Sequence, residues 1–153
     1  MLNESLEQQD ERFMREALKE AYLASEEDEV PIGAVIVCQG NVIARAHNLT
    51  ERLCDVTAHA EMQAITAASE YLGGKYLIDC TLYVTVEPCP MCAGALGWSQ
   101  ISRIVYGTSD TKRGYTTFLS ANRTPLHPKT LVVSGVLSDE CKELIQSFFR
   151  NKR

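Results

Sequence analysis

The chain has 153 residues, of which 45% are hydrophobic and 23% charged. That size and balance fit one globular domain and exclude a disordered chain, a fibrous repeat and two independently cored domains. The net charge of −5 is uneven: residues 1–30 hold ten acidic against three basic side chains, the remainder ten against twelve. The acidic excess therefore belongs to one N-terminal segment and leaves the rest of the surface able to attract phosphate. No apolar run approaches the roughly 20 residues of a membrane helix. The opening MLNESLEQQDERF has neither a basic nor an apolar leader segment, so no secretory signal is expected and a cytoplasmic location follows.

Phe13, Met14, Ala17, Leu18, Ala21 and Tyr22 recur at helical spacing and predict an amphipathic helix over 10–25. IGAVIVC and NVIARAH read as a hairpin around Gln39-Gly40-Asn41. Residues 48–57 form a polar loop. An alanine-rich helix is expected from Ala58 to about Tyr71, with Asp55 or Thr57 as N-cap and Gly73-Gly74 as its stop. TLYVTV (81–86) predicts a strand, Glu87-Pro88 a turn, and residues 89–99 a helix. RIVYG (103–107) is a further strand, 108–130 a long polar stretch, and TLVVSG (130–135) a fifth strand. Ser138 is the expected cap of a last helix that runs nearly to the end of the chain. Strands interleaved with helices indicate an α/β fold, one sheet of about five strands with helices on both faces.

The cysteines at 38, 54, 80, 89, 92 and 141 are too sparse for a disulfide-stapled domain. Only Cys89 and Cys92 lie close, in Pro88-Cys89-Pro90-Met91-Cys92, between a strand and a helix. At i and i+3 their sulfurs share one side of a helical turn, and a helix N-terminus favours thiolate. Two cysteines do not complete the four-coordinate shell of zinc. Among His47, His59 and His127, His59 stands out, at another helix start with Glu61 two residues on.

His-x-Glu followed by Pro-Cys-x-x-Cys is the signature of zinc nucleobase deaminases. It makes His59, Cys89 and Cys92 the three ligands, with water in the fourth place. Glu61 then takes the water's proton and returns it to the substrate ring and the departing amine. A backbone N–H near Cys89 is placed to stabilise the attacking oxygen. Cys38, Cys54, Cys80 and Cys141 read as ordinary small buried residues, and His47 as a packing or hydrogen-bonding histidine. Met62, Ile65 and Trp98 read as core or interface.

The runs 29–35, 57–61, 81–95 and 135–141, together with Asn48 and Phe148-Phe149-Arg150, resemble the bacterial tRNA-specific adenosine deaminases of the cytidine deaminase-like superfamily. The resemblance covers nearly the whole chain. It implies a three-layer α/β/α cytidine deaminase-like fold, a single zinc-dependent deaminase domain over residues 1–153, one Zn²⁺ per subunit and a homodimer. It also implies hydrolytic deamination of adenosine to inosine at the wobble position of a tRNA anticodon, by a zinc-bound hydroxide with Glu61 as proton shuttle. At matching positions, Asn48 is implied to read the purine edge, Val30 to wall the pocket and Ala60 to touch substrate. Asp110 and Lys112 are implied to lie along the anticodon backbone.

Apart from the resemblance, Phe148, Phe149, Arg150, Lys152 and Arg153 combine aromatic faces with cations, a pairing that suits single-stranded RNA. Phe149 and Arg150 are the expected contacts to a tRNA anticodon stem-loop. The stretch from Arg113 to Pro128 departs from the family pattern. Two further readings stay open. A deaminase of a free base or nucleoside (guanine, cytidine or deoxycytidylate) would use the same zinc chemistry and suits the acidic net charge. A zinc-stabilised RNA-binding subunit would leave Glu61 without a use. Trp98, Leu96 and Met62 are expected either to feed a dimer interface or to pack in the core.

Overall fold

In the computed structural model, which describes residues 3–120 and 122–152, a mixed five-stranded sheet separates two pairs of helices. The strands β1 (Gly33–Cys38), β2 (Asn41–His47), β3 (Cys80–Val86), β4 (Arg103–Thr108) and β5 (Leu131–Ser134) take the order β2-β1-β3-β4-β5. β1 is antiparallel to β2 and β3, whereas β3, β4 and β5 run parallel. Gln39 and Gly40 make the β1–β2 turn at φ 51° and 78°, a doubly positive pair that matches strand twist.

The helices are α1 (Leu6–Glu26), α2 (Ala60–Leu72), α3 (Pro90–Ser99) and α4 (Ser138–Asn151). Side-chain alternation along the strands sorts the core into two layers. Ala34, Ile36, Leu82, Val84 and Ile104 pack with Ala60, Ala64 and Ala68 of α2 and with Ala93 and Leu96 of α3. Val35, Val37, Tyr83 and Val105 pack on the other face with Phe13, Met14, Ala17 and Leu18 of α1 and Cys141 of α4. This is the expected three-layer α/β/α arrangement. No helix among the described residues is long and apolar enough to cross a membrane.

Several boundaries differ from those read in the sequence. α1 begins four residues earlier than expected, because Ser5 and Gln8 form a reciprocal capping box of 3.1 and 2.9 Å. α2 is capped by His59, not by Asp55 or Thr57. Asp55 Oδ1 instead accepts from Thr57 N and Oγ1 at 2.8 and 2.7 Å, which closes the loop on itself. Ser138 is the first residue of α4 rather than its cap; Leu137, at φ 52°, stands in that place with no side-chain cap bond. Cys54 is exposed and Cys38 half-buried, so only Cys80 and Cys141 of the four unassigned cysteines are buried. The polar stretch after β4 contains a short 3₁₀ turn, Tyr115–Phe118, and then crosses α3 with Leu126 buried.

Two packing features carry measurable consequences. Gly33 lies where α1 crosses β1, and a Cβ there would stand 2.1 Å from Ala17 O and 2.4 Å from Ala21 N. Both are backbone atoms on the buried face of α1 and cannot yield separately. Gly33→Ala is therefore expected to destabilise the chain by about 3 kcal/mol or more, read as a lower urea midpoint. The second feature is His47 at the end of β2. Its Nδ1 lies 3.0 Å from Glu20 Oε1 and its Nε2 3.1 Å from Glu27 Oε2, both on or just after α1.

Burial alone would lower the His47 pKa, but the two carboxylates outweigh it and raise the value. The imidazolium thus adds stability that is full below the unfolded value of about 6.5 and fades as pH rises through the raised folded value. The melting temperature is expected to fall on that alkaline side. His47→Gln should flatten this segment of the pH profile; an unchanged slope would exclude the ion-pair account.

Candidate metal centre and pocket

The parallel strands deliver the site at their carboxyl ends, the usual place for ligands in an α/β sheet. β3 runs into Glu87 and Pro88, and Cys89 becomes the N-cap of α3 with Pro90 in the first turn. On the same face of the sheet, His59 is the N-cap of the neighbouring α2. Neither residue uses its side chain to cap its helix, so both side chains are free to point at a common centre. Cys92 follows one turn into α3 and is fully buried. Gln63 Nε2 holds the start of α2 in place by donating to His47 O at 2.7 Å and Ala58 O at 3.2 Å.

His59 Nδ1 lies 3.6 Å from Cys89 Sγ and 3.5 Å from Cys92 Sγ. All three donor atoms fall within 4.8 Å of one another. A tetrahedral zinc, with thiolate at about 2.3 Å and imidazole near 2.0–2.1 Å, requires an S···N edge of about 3.6 Å. The donors therefore fit zinc in both kind and spacing. No fourth His, Cys, Asp or Glu atom joins them among the described residues, so one corner carries no protein ligand.

The electrostatics suit this use. A hydrogen bond from Cys92, aided by His59 beside it, pulls the Cys89 thiol down to about 4. Glu61, in the first turn of α2, is buried, and its Oε1 has no hydrogen-bond partner among the described residues. Burial pushes its carboxyl up to about 7, with the Cys89 charge adding to the rise. A buried carboxyl with one unpartnered oxygen and a pKa raised to about 7 is suited to moving protons.

Glu61 and His59 line a pocket of 240 Å³ together with Val30, Ile32, Asn48, Thr50 and Ala60. That is below the roughly 300–1,000 Å³ of drug-sized ligand sites, so it takes a group about the size of one base. Val30, Asn48 and Ala60, expected at the substrate, all reach this pocket; Ile32 and Thr50 were not singled out in the sequence. Asn48 is buried and its Oδ1 accepts from Thr50 N at 3.3 Å. At Val30 the pocket meets an open groove of 820 Å³ lined in part by Arg52, Phe148, Phe149 and Lys152.

The chain-end cations are less available than their sequence suggested. Arg150 is paired with Glu143 at 2.7 Å and Lys152 with Asp28, while Arg153 lies outside the described residues. The half-exposed ring of Phe149, set edge-on to Phe148, is what this end offers the groove. Asp110 is half-buried and its Oδ1 accepts from Lys112 N and Arg113 N, whereas the Lys112 side chain is exposed.

Two buried carboxylates were also missed. Glu29 accepts from Glu51 N at 3.0 Å and Arg52 N at 2.8 Å, and Glu87 binds the loop after β4. Their one local signal is an acid placed one or two residues before a proline that bounds a strand.

Three protein donors, a free fourth corner and a proton-carrying acid beside a base-sized pocket define a zinc-dependent deaminase. The chain belongs to the cytidine and deoxycytidylate deaminase zinc-binding family, which matches residues 7–108, and within it to the family of the tRNA-specific adenosine deaminases. It is 48% identical over 147 residues to the tRNA-specific adenosine deaminase of Bacillus subtilis (strain 168), covering 95% of this chain and 91% of the relative. It is 48% identical over 145 residues to that of Agrobacterium fabrum (strain C58), covering 92% and 94%.

A solved structure from a study of A-to-I editing by tRNA:A34 deaminases at the wobble position of transfer RNA aligns with a TM-score of 0.77 and 44% identity. That alignment covers 87% of this chain and 98% of the other. A guanine deaminase from Bacillus subtilis aligns with a TM-score of 0.65 and 36% identity, over 71% and 73%.

Proposed function

We propose that this chain hydrolytically deaminates adenosine to inosine at the wobble position of a tRNA anticodon, as a single zinc-dependent deaminase domain spanning residues 1–153. The observation that carries the reading is the buried Glu61, with its Oε1 unpartnered among the described residues, beside the His59, Cys89 and Cys92 donors. A zinc ion held there supplies Lewis acidity that lowers the pKa of a water from about 15.7 toward roughly 7. Glu61 accepts one proton of the attacking water at Oε1 and delivers it to the adenine ring nitrogen as the oxygen bonds to the amine-bearing carbon. It then takes the second proton of that oxygen and passes it to the amine, which leaves as ammonia as the C–N bond breaks. Asn48 lines the same pocket and orients the base, and Val30, Ile32 and Ala60 supply its apolar walls. An anticodon-loop base is already unpaired, so moving it into this pocket costs little.

Identity to the tRNA-specific relatives, at 48%, exceeds the 36% to the guanine deaminase, which favours the polymer substrate over a free base. The test is mass spectrometry of tRNA incubated with the purified chain. Inosine at the wobble position is expected. Ammonia release from free guanine or cytidine, with tRNA unchanged, would overturn the reading.

The proposed assembly is a homodimer in the cytoplasm. Its support is an exposed apolar set around α2 and α3: Trp98 is 86% and Val56 83% exposed, while Met62 is half-buried. Leu96 is core and plays no part in such an interface. Sedimentation of a stable monomer at micromolar concentration would remove the dimer.

A further inference from the structure

Glu87 ends the strand that leads into the metal helix, two residues before Cys89, and is buried. Among the described residues, every hydrogen bond its carboxylate accepts comes from one loop. Asp110 N donates to Oε1 at 3.2 Å, and Thr116 N and Oγ1 donate to Oε2 at 3.0 and 2.6 Å. Tyr115 N donates to Pro88 O at 2.8 Å, a second stitch to the same turn. Gly114 makes the approach possible, since a Cβ there would stand 2.3 Å from Glu87 Oε2 and 2.5 Å from Asp110 O. Asp110 Oδ1 in turn holds Lys112 N and Arg113 N at 3.0 and 2.9 Å. The 110–116 loop is thus tied to this turn by the Glu87 carboxylate and by the Pro88 carbonyl.

At the tip of this loop stand Lys112 and Arg113, both exposed. Among the described residues neither forms an ion pair, in contrast to Arg52, Arg150 and Lys152, which pair with Glu27, Glu143 and Asp28. Two cations without ion-pair partners, on a loop whose backbone is stitched to the turn before Cys89, form a preset phosphate contact.

We propose that Glu87 is a positioning residue: it fixes the 110–116 loop against the start of α3 so that Lys112 and Arg113 meet phosphates of the RNA next to the target nucleoside. This rests on the tRNA reading given above. Hydrogen bonds to an ionised acceptor are the stronger kind. Glutamine at 87 would turn an N–H₂ toward donors and release the loop. Gly114→Ala would displace the loop while leaving the carboxylate in place, and so serves as an independent variant.

The experiment uses the zinc-loaded chain and an anticodon stem-loop hairpin. It measures kcat, KM, zinc content and hairpin binding by anisotropy over a range of salt. Glu87→Gln and Gly114→Ala are each expected to raise KM and the hairpin Kd about tenfold, with kcat within about twofold of the parent and zinc retained. The slope of log Kd against log salt should flatten by about 1. In a Lys112→Gln/Arg113→Gln background, Glu87→Gln should raise KM no further, because the cations it positions are gone. Additive effects, an unchanged salt slope, or loss of zinc or kcat at constant KM would each overturn the proposal. A parent chain that makes no inosine, yet loses hairpin binding on Glu87→Gln, would refute the deaminase reading and support the role of Glu87.

Discussion

Glu61→Gln is expected to lower the rate of inosine formation by roughly 10²–10⁴-fold, with one zinc per chain still bound and KM little altered. Glutamine preserves the volume of a buried side chain, so packing around α2 stays intact. It cannot carry a proton between water, ring nitrogen and amine. Glu61 is also not one of the three donors that share the centre, so metal content should not fall with activity. The measurement is single-turnover deamination of the hairpin, with zinc counted by mass spectrometry on the same sample. Undiminished inosine formation would remove Glu61 from the mechanism. Loss of zinc in proportion to activity would make it a structural support of the site instead.

What could be read from the sequence was what is local in the chain. Cys89 and Cys92 lie within one helical turn, and His59 and Glu61 within another, so the donor set was visible before any contact between the two helices was known. The hairpin was visible for the same reason, whereas which strand residues face which helix layer came only with the structure. The cap of α2 was misread where a local rule met a tertiary demand. Asp55 and Thr57 are better capping residues than histidine, yet they bond each other and His59 takes the cap position. Glu29 and Glu87 stayed hidden because their partners are main-chain N–H groups 22 to 29 residues away. The chain-end cations misled for a related reason. Asp28 lies 124 residues from Lys152, and no spacing rule reports such a pair.

The largest expected effect on both stability and activity falls on Cys92. Cys92→Ser should abolish zinc binding at micromolar metal and bring deamination below detection, since a neutral hydroxyl is a poor substitute for thiolate at this soft N/S site. Stability follows by linkage: a ligand present at about 1,000 times its Kd contributes about 4 kcal/mol to the folded state. At 2–4 °C per kcal/mol for a chain of this size, the melting temperature should fall by about 10 °C.

The sheet and its two apolar layers involve none of the three donors except through the starts of α2 and α3, so the variant should remain folded. A chelator makes the distinction. It should lower the melting temperature of the parent chain to near that of Cys92→Ser and leave the variant where it is, and added zinc should restore only the parent. Cys54→Ser, at an exposed cysteine remote from the donor cluster, should match the parent throughout. If Cys92→Ser kept the chelator response, the metal would be held elsewhere, and the tetrahedral fit of the 3.5 and 3.6 Å contacts would be a coincidence of packing.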